Sequence, residues 1–165
     1  MEYPQRKHPR LKTYDYSQNG IYFITICTKN RENLLGQVRM DVSISDEADL
    51  GMGQICLSDI GQVCRRVLED IPRHYRGVSL DCYIVMPDHI HLLLVLDDAA
   101  RTGGQESGRP TIQKILHAFK RISSKQAGVP LWQDSFYEHV VRNEMDLKEI
   151  RQYIVRNPIK SAIGQ

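Results

Sequence analysis

The segment VSLDCYIVMPDHIHLLLVL, residues 78–96, decides the fold because two strand-like runs flank its central Pro87-Asp88 pair. Branched apolar and aromatic residues dominate both runs and favour β-strands, whereas a Pro-Asp pair favours a tight turn. The segment therefore predicts a β-hairpin of two core strands, the second of which extends from His89 to Leu96.

Segments outside the hairpin predict an α+β architecture. In chain order they are a strand over 21–28, short strands over 38–45 and 53–57, a helix from 58 to about 75, a helix from 111 to about 126, an extended segment over 132–141 and a helix over 147–156. Asp146 is expected to cap the last helix, and Asn157-Pro158 is expected to end it. This order predicts a ferredoxin-like plait, an antiparallel sheet with helices on one face, to which a hairpin and a C-terminal helix are added.

Length and composition are typical of a single domain, since the chain has 165 residues of which 41% are hydrophobic. Within this domain, residues 1–165, we expect a basic N-terminal arm over 1–20 and a mobile polar loop over 97–110. No apolar run approaches the roughly 20 residues of a membrane-spanning helix, and the N-terminus lacks the apolar stretch of a secretory signal. We therefore expect a cytoplasmic protein without a membrane partner. The four cysteines include no Cys-x-x-Cys pair, which argues against a zinc knuckle or a disulfide framework.

Basic residues are clustered along the chain, although the formal net charge is only +2. Such clusters suit phosphate backbones, but solvated protein surfaces have the same composition. The clusters lie in the N-terminal arm, on the helix after the predicted loop and near the C-terminus. From them we take as candidate DNA-binding residues Arg6, Lys7, Arg10, Lys114, Lys120, Arg121 and Arg142.

His89 and His91 flank Ile90 at the start of the second hairpin strand. Alternate side chains of a strand point to the same face, so both imidazoles are expected on one side of the sheet. Two neutral imidazoles side by side can bind one divalent cation, although a histidine pair with this spacing can also be purely structural. The pair therefore predicts an incomplete metal site that needs further ligands.

Tyr153 and Asn157 lie four residues apart on the last predicted helix and so share one of its faces. A tyrosine phenolate can attack a phosphodiester, and an amide oxygen is a suitable third ligand for an oxygen-preferring cation. A cation held by the histidines would polarise the scissile phosphate. Both residues also have a structural interpretation, because tyrosines pack at the rim of a core and Asn before Pro commonly ends a helix.

Other residues compete for roles in this site. Tyr137 is the main rival nucleophile, but its extended segment suits packing or DNA contact better than attack on a phosphate. Glu138 and His139 alternate along that segment, so at most one of them can face the histidines. Asp88 is most simply part of the hairpin turn.

Several motifs, in this order along the chain, are similar to those of the HUH single-strand endonucleases with one catalytic tyrosine, and above all to the REP-associated tyrosine transposases. The motifs are IYFIT at 21–25, YIVMPDHIH at 83–91, WQDSFYEH at 132–139, VRNE at 141–144 and YIVRNP at 153–158. The resemblance covers almost the whole chain. It implies a plait fold, a requirement for Mg²⁺ or Mn²⁺, and cleavage and rejoining of single-stranded or hairpin DNA through a 5′-phosphotyrosine intermediate.

The resemblance also implies a role for each site residue. His89 and His91 would bind the metal, Tyr153 would be the nucleophile, and Asn157 would be the third ligand where insertion-sequence members usually carry glutamine. Two other functions stay open, a replication-initiator or relaxase-type nicking enzyme and a domesticated protein that binds DNA hairpins without cleaving them. A monomer and a homodimer are both compatible with the resemblance. The tyrosine of one site therefore works either with the histidines of its own chain or with those of a partner chain.

Overall fold

The computed structural model describes residues 18–39, 54–97 and 110–162, with side chains up to residue 158. The candidate DNA-binding residues Arg6, Lys7 and Arg10 lie outside these ranges, as do most of the predicted arm and most of the predicted loop. Within the described ranges, no helix is long and apolar enough to cross a membrane.

Six strands and four helices make up the described part of the chain. The strands are β1 (Gly20–Cys27), β2 (Gly36–Arg39), β3 (Gln54–Leu57), β4 (Val78–Val85), β5 (His89–Leu96) and β6 (Tyr137–Val140). The helices are α1 (Asp59–Glu69), α2 (Ile71–His74), α3 (Ile112–Ala127) and α4 (Glu144–Ala162), and a 3₁₀ turn spans Lys29–Arg31. The sheet order is β4-β5-β1-β6 with antiparallel neighbours, and β2 pairs with β3. This is the strand order of a ferredoxin-like plait, so the predicted fold class is confirmed.

The predicted hairpin forms β4 and β5, and β5 lies at the centre of the sheet. β1 pairs with β5 along its whole length, from Gly20 opposite Leu96 to Cys27 opposite His89. Seven of the eight β5 residues are buried, because strands flank β5 on both sides and helices cover both faces of the sheet. Each buried leucine of this strand contributes about 1.5–3 kcal/mol through its removal from water.

Helices α1 and α3 cover one face of the sheet. Thr111 caps α3 by accepting the backbone N–H of Lys114 at 3.3 Å, and Gly128 ends it with a φ of 75°, which glycine adopts without steric cost. The core between helices and sheet is built from apolar side chains of both layers, among them Ile24, Ile26, Cys64, Leu68, Ile90, Leu92, Leu94, Ile115, Leu116 and Phe119.

Helix α4 covers the opposite face, which is the face that carries the two histidines. Its Ile150 and Ile154 pack on Phe23 of β1 and Leu93 of β5. The C-terminal helix that the sequence predicted as an addition to the plait is therefore the only described helix that covers this face.

The helix predicted from 58 to about 75 is divided in the structure, and its single-helix prediction is wrong. α1 ends at Glu69, and α2 begins at Ile71 with Pro72 in its first turn. Proline has no N–H to donate to the carbonyl four residues earlier, so Pro72 removes one helical hydrogen bond at the point where α1 ends and α2 begins.

Both predicted ends of the last helix are wrong. The cap is Asn143 and not Asp146, because the Oδ1 atom of Asn143 accepts the N–H of Asp146 at 2.9 Å. The helix does not end at Asn157-Pro158, since α4 continues through Pro158 to Ala162. Asn157 therefore lies inside the helix, one turn beyond Tyr153.

Strands β2 and β3 form a two-stranded arm that rests on α1. The predicted strand over 38–45 overlaps the end of β2, and residues 40–53 lie outside the described ranges. Leu35 fixes the arm, because its N–H donates to the carbonyl of Pro87 at 2.9 Å and its carbonyl accepts the N–H of Ser58 at 3.0 Å. Gly61 of α1 lies against the same carbonyl, and a Cβ atom added there would be 1.9 Å from the Leu35 oxygen.

We expect Gly61→Ala to lower the free energy of unfolding by about 1–3 kcal/mol, the usual cost of overpacking, even though alanine favours a helix. The backbone of Leu35 is held from both sides and cannot move away cheaply. Thermal unfolding measures the loss, with Gln62→Ala as the control because Gln62 is the exposed neighbour on α1. Equal melting temperatures for both variants would contradict this account of the arm.

Candidate metal and tyrosine site

The two histidines lie at the start of β5 and point to the face covered by α4. β1 places Thr25 opposite His91 and Cys27 opposite His89. Both imidazoles are almost fully buried, with 8% of His89 and 5% of His91 exposed. Their edge-to-face rings have centroids 4.5 Å apart, so the structure brings the predicted pair together.

The Nδ1 atom of each imidazole has an oxygen partner in the protein. The Nδ1 atom of His89 lies 2.6 Å from a carboxylate oxygen of Asp88, and the Nδ1 atom of His91 lies 2.8 Å from the hydroxyl of Thr25. A carboxylate only accepts, so His89 carries a proton on Nδ1, and in its neutral form it has a lone pair on Nε2. If His91 likewise donates from Nδ1 to Thr25, both Nε2 lone pairs converge.

The distance between the converging atoms suits a shared cation. The two Nε2 atoms lie 3.1 Å apart. Two facing lone pairs at this distance repel unless a proton or a metal ion lies between them. Nitrogens bound about 2.1 Å from one ion at roughly a right angle are about 3 Å apart, so the pair fits a divalent cation.

Electrostatics keep His91 in the form that binds metals. Burial lowers the pKa of His91 well below its usual value, and the positive charges of a protonated His89 and of Arg31 lower it further. Burial acts to raise the pKa of Asp88, but the hydrogen bond from His89 and the charges of His89 and Arg31 lower it overall. The site therefore combines a neutral imidazole with an ionised carboxylate behind its neighbour.

Arg31 completes this arrangement from the turn after β1. Its Nε atom lies 3.0 Å from the second carboxylate oxygen of Asp88, and its Nη1 atom donates to the sulfur of Cys27 at 2.8 Å. Asn30 and Arg31 have φ values of 55° and 58°, in the left-handed region that residues other than glycine rarely adopt. The sequence analysis missed Arg31 and assigned Asp88 only to the turn, although an acidic residue directly before a histidine pair is itself a signal for such support.

Helix α4 brings Tyr153 to the histidines. The ring of Tyr153 lies 5.2 Å from that of His91 and 6.1 Å from that of Phe23, measured between centroids. Phe23 stacks on His91 at 5.4 Å and so joins both rings into one cluster. Tyr137 contacts the far side of this cluster, 6.3 Å from Phe23, with β1 between its strand and that of His91. Tyr153 is thus in ring contact with His91 of the pair.

Two polar contacts fasten α4 to the sheet of its own chain. Arg151 donates two hydrogen bonds to Asp81 of β4, at 2.8 and 2.5 Å. His139 of β6 lies 2.9 Å from the carboxylate of Asp146, for which burial acts to raise the pKa and the hydrogen bond from His139 lowers it overall. These contacts with β4 and β6, the two edge strands of the sheet, therefore fix the position of Tyr153 on α4.

Asn157 is the third predicted ligand. It is buried, with 7% exposed, and it lies on the side of α4 that Tyr153 occupies one turn earlier. Among the described residues, no group of three His, Cys, Asp or Glu side chains could hold a metal ion. A cation at the histidines would need further oxygen ligands, for which the amide of Asn157, water and a substrate phosphate are suitable. Glu138, by contrast, pairs with Ile24 on the face covered by α3 and is not part of the site.

Comparison with known proteins identifies the family of the chain. The model of the IS200-like transposases matches residues 16–157. The chain belongs to this family. An uncharacterized protein of Haemophilus influenzae is 32% identical over 93% of this chain and 88% of its own length. A REP-associated tyrosine transposase of Escherichia coli is 23% identical over 88% of this chain and 70% of its own length.

A solved structure supports the fold of the chain. It is that of a REP-associated tyrosine transposase bound to a REP hairpin, with a TM-score of 0.62 and 21% identity. The match covers 98% of this chain and 74% of the other. The two chains therefore share their fold.

The candidate DNA-binding residues that the structure describes lie in different parts of the fold. Lys114 and Arg121 are exposed on α3, in the layer on the other face of the sheet, and Arg142 is exposed just before α4. Lys120 has a structural role, because its Nζ atom donates to three backbone carbonyls, those of Gln133, Asp134 and Ser135, at 2.7, 3.2 and 2.9 Å. Since an ammonium group has three donors, Lys120 has none left for a phosphate in this arrangement.

The support that Asp88 gives to His89 can be measured by metal binding. We expect Asp88→Ala to raise the dissociation constant for Mn²⁺ by about 10–100-fold, because it removes the acceptor that fixes the His89 ring and its tautomer. Titration calorimetry with Mn²⁺ measures this change. Asp70→Ala is the matched control, since Asp70 also pairs with an arginine, Arg73, but lies on the helical face. An unchanged affinity in Asp88→Ala would show that the Asp88 contact does not act on the metal site.

Proposed function

We propose that this member of the IS200-like transposase family cleaves and rejoins single-stranded or hairpin DNA through a 5′-phosphotyrosine intermediate. Tyr153 is the nucleophile, and His89, His91 and Asn157 hold a divalent cation, Mg²⁺ or Mn²⁺. One observation carries the proposal: the Tyr153 ring contacts His91, whose Nε2 atom converges with that of His89. Because α4 packs on the sheet of its own chain, we place the nucleophile and the histidines of one site in one chain.

The chemistry is an exchange of phosphodiester bonds. The Tyr153 oxygen forms a bond to phosphorus, the bond from phosphorus to the 3′ oxygen breaks, and that oxygen leaves as a 3′-OH by taking up a proton. The phenol loses its proton in the same step, so charge and atoms balance. A later attack by a 3′-OH on the phosphotyrosine rejoins the strand and restores the phenol. Since each step replaces one phosphate ester by another, no external energy source is required.

The residues of the chain prepare this exchange. Asp88 and Thr25 orient the two imidazoles through their Nδ1 atoms, and Phe23 holds the rings of His91 and Tyr153 together. A bound divalent cation would polarise the scissile phosphate and so lower the barrier to attack by a phenol with an unperturbed pKa near ~10.

A labelled-strand assay tests the proposal. Single-stranded oligonucleotides with a REP-type hairpin, labelled at either end, are incubated with the protein and Mn²⁺ and resolved on a denaturing gel. We expect the 3′ label to appear in a protease-sensitive covalent adduct and the 5′ label in a shorter free strand. Excess EDTA should abolish both products, and added Mn²⁺ should restore them.

Each other outcome has a defined meaning. An adduct that carries the 5′ label would show the opposite polarity of cleavage. Tight hairpin binding with no adduct from any oligonucleotide would favour the domesticated binding protein.

A further inference from the structure

A polar cleft lies beside the histidine pair, between the β2 arm and the turn that precedes β5. It has a volume of about 340 Å³ and is lined by Asn33, Gly36, Gln37, Val38, Pro87 and Asp88. This volume is at the small end of the ~300–1,000 Å³ typical of ligand pockets. The cleft shares Asp88 with the candidate metal site, because the carboxylate that lines it also holds the Nδ1 atom of His89.

The walls of the cleft are held in place by the backbone. The N–H of Leu35 donates to the carbonyl of Pro87, which ties the start of β2 to the histidine turn. Gly36 lies so close to β3 that an added Cβ would be 2.5 Å from the carbonyl of Cys56. The cleft is therefore formed before any ligand arrives, which favours selective binding.

The side chains of the cleft suit a nucleobase better than a phosphate. Asn33 and Gln37 are exposed to solvent, and each offers an amide donor beside an amide acceptor. Such a pair matches the neighbouring donor and acceptor of a base edge, most closely that of adenine. The carboxylate of Asp88 adds a negative charge to the lining, which disfavours a phosphate inside the cleft.

The turn that precedes Asn33 in the chain has the opposite character. Lys29 and Arg31 are exposed in the 3₁₀ turn that precedes Asn33, and Arg31 reaches Asp88. The left-handed Asn30 and Arg31 mark this turn as strained, and such strain is concentrated at functional sites. A strand whose phosphates follow this basic turn would direct one base into the cleft while its next phosphate approaches the histidines.

We propose that this cleft binds one unpaired nucleobase of the DNA strand next to the scissile phosphate, and that Asn33 and Gln37 read its edge. The inference rests on the proposed function and adds to it a determinant of sequence specificity. It assigns Gln37 a role in the choice of the cleavage site and none in the cleavage chemistry.

A cleavage-site selection experiment tests the inference. The probe is a pool of 3′-labelled single-stranded oligonucleotides with a REP-type hairpin and four randomised nucleotides at its foot, and the covalently captured strands are sequenced. We expect the wild type to prefer one base at one position by about 10-fold or more, as one base-specific amide contact provides. Gln37→Ala should reduce that preference to under about 3-fold without shifting the other positions.

Two further variants sharpen the test. Gln37→Glu replaces the donor by a second acceptor, so the preferred base should change towards one that presents an amino group, such as cytosine. Gln54→Ala is the matched control, because Gln54 is an exposed glutamine on the partner strand of the same arm and does not line the cleft. If Gln37→Ala and Gln37→Glu both capture the wild-type sequences, the cleft proposal is overturned while the proposed function stands. If the wild-type protein forms no covalent adduct with any oligonucleotide of the pool, the proposed function fails and the cleft proposal fails with it.

Discussion

Tyr153→Phe is expected to form no covalent adduct with DNA. The variant keeps the ring that contacts His91 and Phe23 and loses only the oxygen that would bond to phosphorus. Loss of a nucleophile lowers the rate of a covalent step by about 10⁴-fold or more, which takes the adduct below detection on the gel described above. Because the packing of the ring is preserved, thermal unfolding should be close to that of the wild type, and hairpin binding should remain.

Tyr137→Phe is the matched control for this result. Tyr137 also packs on Phe23 and lies on the same face of the sheet, but β1 separates its strand from that of His91. It should therefore retain the adduct. The assignment of the nucleophile fails if the adduct persists in Tyr153→Phe and disappears in Tyr137→Phe, because Tyr137 would then be the attacking residue.

The fold was predictable from local patterns because these patterns agree with tertiary structure along most of the chain. The run at 78–96 gave the hairpin of β4 and β5, since strand propensity and the Pro87-Asp88 turn favour the same structure. The end of α4 was not predictable in this way. Pro158 removes one backbone hydrogen bond, but α4 continues past it because Ile150 and Ile154 bury the preceding turns on the sheet. Tertiary packing outweighs local preference there.

The candidate site was predictable only in part, for a related reason. Alternation along a strand places His89 and His91 on one face, and helical spacing places Tyr153 beside Asn157. The partners of the histidines depend on relations between segments that the sequence does not show. Thr25 reaches His91 through the register of β1 against β5, and Arg31 reaches Asp88 through a left-handed turn that no local propensity favours. Interactions that cross from one element to another were missed for this reason.

The approach of α4 to the sheet shows why these partners matter to function. A tyrosine on a separate helix can meet the histidines only if the helix is held in one position. Arg151 and Asp81 hold its middle, and Asp146 and His139 hold its first turn. The candidate site is thus assembled from elements that are distant in the chain, and its geometry depends on their packing as much as on its own residues.

His91→Ala is expected to remove metal binding, and with it all cleavage. The variant leaves the Nε2 atom of His89 without the second nitrogen that lies 3.1 Å away. Changing a residue that only supports a ligand costs about 10–100-fold in metal affinity, so loss of the ligand itself should cost more than about 100-fold. Titration calorimetry with Mn²⁺ measures the affinity, and the covalent-adduct assay measures cleavage.

His139→Ala provides the comparison that separates this role from general damage to the sheet. His139 lies on the same face as His91, opposite Phe23, and it bonds Asp146 at 2.9 Å. Its loss should weaken the attachment of α4 and leave the affinity for Mn²⁺ within about 3-fold of the wild type, because it removes neither converging nitrogen. Both variants are compared after their thermal unfolding has shown that they are folded. Equal loss of Mn²⁺ affinity in the two folded variants would contradict a metal site centred on His89 and His91, since only His91 supplies a nitrogen that converges with that of His89.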